Sequence, residues 1–299
     1  MDWIKERYCP IEESCIVAGN LDGLHLGQMA MIDRLEEIAG QHDLASALIS
    51  IDRDNAKNGP KCLTSELEKF SLLEDKKIHA LISLDVEEEY LEAALFNKLN
   101  QLGVKVVIIE KDDDLLGFFE KHANEFDYEI LQCDPLTIDG KIVSSERVAD
   151  AVIAHDYELI ERLLGRPYSI GGRVILGKQK GRTVGMPTAN VDYAANKLLP
   201  PEGVYGVISM IDGVPYKGMT NIGRRPSVDD FDYITVENFI LDFSQNVYGK
   251  VLMMDLHAHI RDVIKFNNLE EVQEQVKKDI QSVQDKLERK FVQYTGKKK

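Results

Sequence analysis

The fold of the first half is decided by residues 14–40, which read SCIVAGNLDGLHLGQMAMIDRLEEIAG. Residues Ser14 to Gly19 form a short apolar run that is typical of a buried strand. From Leu26 to Ala39 the apolar side chains recur at helical spacing, so this segment is predicted to be a helix. A glycine-containing turn joins the two elements, at the position where α/β folds bind phosphate against free helix N–H groups.

The same alternation continues on the C-terminal side of this stretch. Apolar runs predict further strands, and helical spacing predicts further helices. Thr64 is predicted to be the N-cap of the helix over residues 63–73. The strands cover residues 45–51, 78–84, 104–110 and 128–133, and the helices cover residues 63–73, 87–101, 144–154 and 156–164. Strict alternation of strand and helix predicts a parallel sheet with helices on both faces.

The second half changes character near Gly165, where glycine and proline become frequent and the strand-like runs become short. These runs predict a small antiparallel barrel or sandwich, and they cover residues 172–176, 203–211, 216–222, 234–241 and 251–258. From Leu269 onward the pattern is helical. Its apolar stripe is expected to pack on the barrel, and consists of Val272, Val276, Ile280, Val283 and Leu287. We therefore predict two domains, residues 1–164 and 165–299.

Composition restricts the classes of function. The chain has 299 residues and a formal net charge of −15, which argues against a general nucleic-acid binder because such proteins need a basic surface. No apolar stretch approaches the roughly 18 to 20 residues of a membrane helix, and the N-terminus lacks the apolar segment of a signal peptide. We expect a cytoplasmic protein that acts on small molecules and contacts neither nucleic acid nor membrane. The four cysteines are expected to be inert thiols, and the sequence leaves the oligomeric state open.

The densest polar signal lies in residues 177–190, which read GKQKGRTVGMPTAN. Glycines at a spacing of four let a backbone loop approach a ligand closely, and neighbouring cations add positive charge. These residues are Gly177, Gly181 and Gly185, with Lys178 and Arg182 among the cations. The spacing matches neither a Walker loop nor a dinucleotide fingerprint. Alone, the segment is equally consistent with a phosphate-binding loop and with a basic hairpin turn.

Thr188 and Asn190 end this segment, and their spacing of two places both side chains on one side of an extended chain. Hydroxyl and amide oxygens are hard ligands that suit Mg²⁺ when the ion also holds phosphate oxygens. A Thr-x-Asn triplet alone carries no information. After a glycine-rich basic loop, it predicts a phosphate and magnesium site.

This segment resembles the signature of the riboflavin kinase family, a glycine-rich loop that ends in Pro-Thr-Ala-Asn. Further parts of the family pattern follow in order, at residues 198–205, 221–226, 235–237, 241–243 and 248–250, and then at Arg261 and residues 265–266. The resemblance covers residues 165–280. It implies a small antiparallel β-barrel with a C-terminal helix, and an enzyme that transfers a phosphate from Mg-ATP to a hydroxyl of riboflavin to make FMN.

The resemblance also implies roles for individual residues. Glu237 stands at the position of the family's catalytic acid, where it would take the proton of the ribityl hydroxyl as general base. Without the resemblance, Glu237 is simply an exposed strand glutamate. Phe239 departs from the pattern, because many relatives have histidine there. The implied ligands are Gly177, Lys178, Gly181, Arg182, Gly185, Thr188 and Asn190 for ATP, Thr188 and Asn190 for Mg²⁺, and Arg225 and Arg261 for the flavin, although either arginine is equally consistent with a surface position.

The turn after the first strand resembles the first motif of the FAD synthetase domain, an FMN adenylyltransferase that precedes the kinase in many bacterial chains. This resemblance implies a Rossmann-like nucleotidyltransferase fold for the first half. The whole chain then follows the order of a bifunctional enzyme. The implied nucleotide-binding residues are Gly19, Asp22, Gly23, His25, Gly27, Ser144, Ser145 and Arg147.

The first half departs from this second pattern where adenylyl transfer needs cationic groups. Gln28 replaces a histidine, Ala149 replaces a phosphate-binding arginine, and residues 52–55 replace Asp-Pro-His-Pro. Residues 111–117 are acidic where relatives carry a Phe- and Gly-rich flavin loop. Each change removes positive charge or adds negative charge where a polyphosphate transition state needs the reverse.

We therefore expect a riboflavin kinase whose first domain adenylylates FMN poorly or not at all. One alternative is a bifunctional enzyme that makes both FMN and FAD. The other is a non-enzymatic sensor that binds flavin.

Overall fold

The computed structural model describes residues 2–4, 11–52, 61–177, 187–224 and 234–296. The chain forms two compact units, Met1–Val148 and Ala149–Lys299. This division precedes the boundary at residue 164 indicated by the sequence, because helix α6 (Tyr157–Leu164) packs within the second unit. On α6, Glu161 accepts a hydrogen bond of 2.7 Å from Lys290 Nζ, and Leu163 is fully buried.

The first unit is built on a parallel sheet. Its strands are β1 (Asp2–Ile4), β2 (Ser14–Gly19), β3 (Ala45–Asp52), β4 (Ala80–Asp85), β5 (Val104–Glu110) and β6 (Glu129–Cys133). They lie in the order β1-β4-β3-β2-β5-β6, and every neighbouring pair is parallel. The parallel sheet predicted from the alternation is thereby confirmed.

Helices cover both faces of this sheet. They are α1 (Leu26–His42), α2 (Glu66–Leu72), α3 (Glu88–Leu102) and α4 (Leu116–Phe126). A small hairpin of β7 (Thr137–Ile138) and β8 (Lys141–Ile142) follows, and then helix α5 (Ser145–Ile153), which spans the boundary between the two units. Neighbouring residues of β2 serve opposite faces, as strand geometry requires. Ile16 packs in one core with Leu95 of α3 and Phe119 of α4, whereas Val17 packs in the other with Leu35 of α1.

Two helices differ from the sequence prediction. Helix α2 begins at Glu66, and its N-cap is Ser65 rather than Thr64. Ser65 and Glu68 form a capping box, in which Ser65 N–H donates to Glu68 Oε2 at 2.8 Å. Helix α4 was not predicted at all, although Phe118 and Phe119 on it are buried.

The second unit is a closed barrel of six antiparallel strands. They are β9 (Tyr168–Ile175), β10 (Ala189–Tyr193), β11 (Gly203–Ile211), β12 (Val214–Arg224), β13 (Ile234–Ile240) and β14 (Val251–Asp262). Their order is β10-β13-β12-β11-β14-β9, and β9 closes the barrel by pairing with β10. Of the two architectures left open by the sequence, the barrel is the one observed.

Helix α7 (Leu269–Gly296) packs its apolar stripe on the outside of this barrel. Val283 and Leu287 are fully buried and pack against Ile208 and Met219. A Cβ atom at Gly206 would lie 2.6 Å from Leu287 Cδ1, so the glycine permits this close approach. Within the part of the chain that the structure describes, no helix has the length and apolar character needed to cross a bilayer.

Candidate active site

A single row of side chains runs around the outer face of the barrel. The strand register pairs each member with the next, and directly opposed residues of antiparallel strands share one face. In order, the row is Arg261 on β14, Val204 on β11, Asn221 on β12, Glu237 on β13, Asn190 on β10 and Ile175 on β9. The catalytic and metal residues predicted from separate motifs are thus neighbours, because the barrel aligns the strands that carry them.

Glu237 lies at the centre of this row. Thr188, just before β10, donates its hydroxyl to Glu237 Oε2 at 3.2 Å. Asn190 lies directly opposite Glu237 across the β10–β13 pair. The flanking residues of β13, Val236 and Asn238, are buried in the barrel, so Glu237 faces outward and is half-buried. A carboxylate, a hydroxyl and a carboxamide therefore meet on one side of two paired strands.

Gly177 fixes the position of Asn190. A Cβ atom at Gly177 would lie 2.1 Å from Asn190 Nδ2, so the carboxamide packs directly against the glycine backbone. This contact joins the start of the glycine-rich segment to the end of it. The remaining predicted phosphate ligands, Lys178, Gly181, Arg182 and Gly185, lie outside the described residues, as does Arg225.

A cavity of about 260 Å³ opens beside Thr188. Its wall includes Pro187, the aromatic rings of Phe243 and Tyr248, and Asn246. Phe243 is held by an edge-on contact with Tyr216, with ring centroids 5.0 Å apart. Aromatic side chains in the wall of a cavity, next to a few polar side chains, are typical of small-molecule sites.

Arg261 is engaged by helix α7. Its Nε donates to Asp279 Oδ1 at 3.0 Å, and its Nη2 lies 2.9 Å from Asp279 Oδ2. Asp279 is buried, and Nη1 of Arg261 donates to the carbonyl of Asp262 at 2.9 Å. The structure therefore places Arg261 in the row but directs its guanidinium to the helix. Its contact with a flavin stays a prediction.

In the first unit, the N-terminus of α1 forms a capping box. His25 is the N-cap, and its Nδ1 accepts from Gln28 N–H at 3.3 Å. Gln28 Oε1 in turn accepts from His25 N–H at 3.1 Å, and Gln28 Nε2 donates to the carbonyl of Asn20 at 2.8 Å. Two backbone donors that could receive a phosphate at this helix start are thus used inside the protein.

Carboxylates lie at the same edge of the sheet. A Cβ atom at Gly27 would lie 3.3 Å from Glu110 Oε1, and one at Gly19 would lie 3.3 Å from Asp113 Oδ2. Burial raises the pKa of Glu110, and the charges of Asp113 and Asp112 raise it further. The electrostatic environment beside α1 is therefore unfavourable to additional negative charge.

The other residues predicted to bind nucleotide in the first unit make structural contacts. Asp22 accepts from Leu63 N–H and Thr64 N–H, each at 2.9 Å, and Ser145 Oγ donates to the Asp22 carbonyl at 2.7 Å. Gly23, in the same turn, has a φ of 87°, which favours glycine. The turn is thereby tied to the segments that precede α2 and begin α5.

Arg147 is directed to the β7–β8 hairpin. Its Nη1 donates to the carbonyls of Ile138 at 3.0 Å and Lys141 at 3.1 Å, while Ser144 Oγ accepts from Arg147 N–H at 3.2 Å. Arg147 therefore helps to hold the hairpin against the start of α5. Nucleotide binding by Ser144, Ser145 and Arg147 stays a prediction.

Comparison with known proteins agrees with this two-part structure. Residues 10–147 match the FAD synthetase family model, and residues 164–287 match the riboflavin kinase family model. A bifunctional riboflavin kinase/FMN adenylyltransferase from Bacillus subtilis is 32% identical over 302 residues, which covers 90% of this chain and 91% of the relative. This chain belongs to the bifunctional riboflavin kinase/FMN adenylyltransferase family.

Other members and a solved structure extend the comparison. The family member from Haemophilus influenzae is 29% identical over 290 residues, or 91% of this chain and 94% of its own length. A crystal structure of a macrolide-efflux protein from Streptococcus pneumoniae has a TM-score of 0.76 and covers 95% of this chain and 98% of its own, at 24% identity. That likeness shows the fold alone.

Two features of the barrel site in this family member emerge only from the structure. In the sequence Asn221 is simply the first residue of the segment 221–226, whereas alternation along β12 places it on the outer face while Thr220 and Ile222 are buried. The second feature is the aromatic cavity formed by Phe243 and Tyr248. Both aromatic residues lie in segments of the family pattern, residues 241–243 and 248–250, but those segments do not reveal that the two rings line one cavity.

Proposed function

We propose that this chain is a riboflavin kinase that transfers the terminal phosphate of Mg-ATP to the ribityl hydroxyl of riboflavin and makes FMN. The observation that carries the proposal is the meeting of Thr188, Asn190 and Glu237 on the outer face of the barrel. Thr188 Oγ1 lies 3.2 Å from Glu237 Oε2, and Asn190 lies opposite Glu237 in the strand register.

Each of these residues has a role that phosphoryl transfer requires. The reaction needs the phosphates clamped, the developing charge offset and the attacking hydroxyl positioned. Glu237 would accept the proton of that hydroxyl as general base. Gly177 would set Asn190 in place, and the basic residues Lys178 and Arg182 would contact the phosphates.

Thr188 and Asn190 fit a magnesium ion. The hydroxyl of Thr188 donates to Glu237 and keeps its lone pairs available, and Asn190 supplies a carboxamide oxygen. Both are oxygen donors of the kind that Mg²⁺ prefers. Mg²⁺ bound with ATP would offset the negative charge of the phosphates.

We further propose that the first unit keeps the nucleotidyltransferase fold but adenylylates FMN poorly or not at all. Two helix N–H groups at the start of α1 are occupied by the capping box of His25 and Gln28. Carboxylates of Glu110 and Asp113 approach the glycines where phosphate would lie. Loss of one transition-state donor commonly costs about 3 kcal/mol, so several losses together leave little catalysis.

A bifunctional enzyme is the second candidate. It is favoured by the match of residues 10–147 to the FAD synthetase model and by the names of the relatives. The two candidates share the kinase reaction and differ in whether FAD is formed.

The direct test is to incubate the full chain with riboflavin, ATP and Mg²⁺ and to separate the flavins by chromatography. We expect FMN as the product. Glu237→Gln should lower kcat by about 10²- to 10⁴-fold, the usual contribution of a general base, and spare riboflavin binding measured by flavin fluorescence. Glu274→Gln, an exposed change on α7, is the matched control.

Either of two results would count against these assignments. Unchanged turnover in Glu237→Gln would show that Glu237 is not the base. Riboflavin recovered intact from the wild-type incubation would overturn the kinase proposal and favour the flavin sensor.

A further inference from the structure

Asn221 is the neighbour of Glu237 on the side away from Asn190. It lies directly opposite Glu237 in the β12–β13 register, and its side chain is exposed on the outer face. Cβ atoms of directly opposed residues in antiparallel strands are about 5 Å apart. The carboxylate of Glu237 is therefore flanked by a carboxamide on each neighbouring strand.

The two sides of Glu237 are chemically different. On the β10 side lie Thr188 and Asn190, which the proposed function assigns to the metal and phosphates, together with the cavity beside Thr188. On the β12 side the row continues from Asn221 to Val204, which is buried beneath α7. Asn221 is thus the last exposed polar side chain of the row before the surface covered by the helix.

The direction of the reaction assigns the acceptor to the β12 side. In phosphoryl transfer the attacking and leaving oxygens stand roughly in line on opposite sides of the phosphorus. If the leaving phosphates lie on the β10 side of the phosphorus, the attacking hydroxyl lies on the side that faces away from β10, which is towards β12. An alcohol on that side has Glu237 as its proton acceptor and Asn221 as the next polar group along the barrel.

A polyol such as the ribityl chain carries several hydroxyls in sequence, so one side chain beyond the base can bind a second hydroxyl. A carboxamide can both donate to and accept from such a hydroxyl. We propose that Asn221 is a specificity-determining residue of the kinase, and that its carboxamide binds the 4′-hydroxyl of riboflavin, next to the hydroxyl that is phosphorylated. The proposal rests on the riboflavin kinase function and adds a residue that recognises the ribityl chain.

The test compares two substrates with two enzymes. Initial rates of phosphorylation are measured for riboflavin and for 4′-deoxyriboflavin, with the full wild-type chain and with Asn221→Ala. We expect Asn221→Ala to lower kcat/KM for riboflavin about tenfold, the value of one hydrogen bond, and to leave kcat/KM for the deoxy substrate unchanged. Val214→Ala, an exposed change at the other end of β12, should alter neither value.

The two substrates separate recognition of the hydroxyl from structural damage. An equal loss with both substrates, or no loss with riboflavin, would overturn the proposal. Because Asn221 is exposed, the melting temperature of Asn221→Ala should match that of the wild type. Failure of the kinase function itself would appear differently, as wild-type protein that forms no phosphorylated flavin from riboflavin.

Discussion

At the scale of single residues, the contact between Gly177 and Asn190 sets the geometry of the barrel site. Asn190 is held from one side by the Gly177 backbone and lies beside Glu237 on the other. A side chain at position 177 would occupy the volume of the Asn190 carboxamide. Because glycine has no Cβ atom, the Asn190 carboxamide can approach the backbone at position 177 closely.

Gly177→Ala should therefore displace Asn190 and impair phosphoryl transfer. We expect kcat/KM for ATP to fall about 10²-fold, as commonly follows from a misplacement of about 1 Å at a reacting centre. Steady-state kinetics with varied ATP would measure this, with circular dichroism to verify the fold. Gly40→Ala on α1, where a Cβ meets nothing within 4 Å, is the control. Wild-type kinetics in Gly177→Ala would show that Asn190 does not depend on the glycine.

At the scale of elements, the turn between α5 and α6 is attached to the barrel by a pair of histidines. His155 in this turn stacks on His259 of β14, with ring centroids 4.3 Å apart, and its Nε2 lies 3.1 Å from Tyr205 Oη on β11. His259 Nε2 lies 3.2 Å from Asp262 Oδ1, and the His259 carbonyl accepts a hydrogen bond of 2.9 Å from Lys286 Nζ. Burial lowers the pKa of His155, and the proximity of His259 lowers it further.

This attachment predicts a loss of stability in mild acid. Because the folded pKa of His155 is below its ordinary value of 6.5, the unfolded chain binds the proton more readily. The stabilisation is complete above that value and decreases as the pH falls towards the folded pKa. His155→Asn removes the titration, and asparagine tolerates the positive φ of 57° at this position.

Urea unfolding of the second unit between pH 8 and pH 5 would measure the effect. We expect the free energy of unfolding to fall more steeply with acid in the wild type than in His155→Asn. His257, whose pKa burial also lowers, contributes in the same direction to both proteins and cancels in the difference. His42→Asn on the exposed end of α1 is the control. Identical slopes in wild type and His155→Asn would contradict the assignment to His155.

Elements with strong periodic patterns could be predicted from the sequence, whereas those defined by local capping or by distant partners could not. The strand over Ser14–Gly19 was predicted with its observed bounds, because six consecutive apolar or small residues fit only a buried strand here. Helix α4 was missed because it begins within the acidic segment 111–117. Strand β1 has three residues and exists through its pairing with β4, which no local pattern reveals.

In the candidate site, too, some features could be predicted from local sequence motifs and others depend on distant parts of the chain. Thr188, Asn190 and Glu237 could be named from motifs, and their convergence depends on a register between β10 and β13 that no single motif contains. The engagement of Arg261 by Asp279 was equally hidden, because the two residues meet only when α7 packs on the barrel. The site residues could therefore be predicted from the sequence, whereas their contact partners could be identified only from the folded structure.

At the scale of the whole molecule, the two units differ in chemical character at the places where nucleotide is predicted to bind. The row on the barrel places the neutral carboxamides of Asn190 and Asn221 on either side of Glu237. The edge of the parallel sheet in the first unit instead presents Glu110 and Asp113 near the start of α1. Only the former arrangement suits a polyanionic substrate with its metal.

We therefore expect the full chain to make little or no FAD when FMN, ATP and Mg²⁺ are supplied directly. Supplying FMN bypasses the kinase, so the result reports on the first unit alone. Chromatography of the flavins, with the Bacillus subtilis relative assayed in parallel, would measure it. FAD formed at the rate of that relative would show that the capping box and the carboxylates do not prevent adenylyl transfer.

Closure of the barrel has a consequence for how its sequence can change in length. The row from Arg261 to Ile175 depends on the register of all six strands, because every strand of the closed barrel is paired on both sides. The β11–β14 pair already contains two register shifts, and both lie beyond Val204 on the side away from the row. One inserted residue in β12 before Asn221 would turn that side chain inward. Extra residues in the turn at Asp212–Gly213, between β11 and β12, would leave the row intact. Length variation among working homologues should therefore be confined to turns. In a library of single-residue insertions, we expect variants with insertions in turns to keep kinase activity and variants with insertions in strands to lose it.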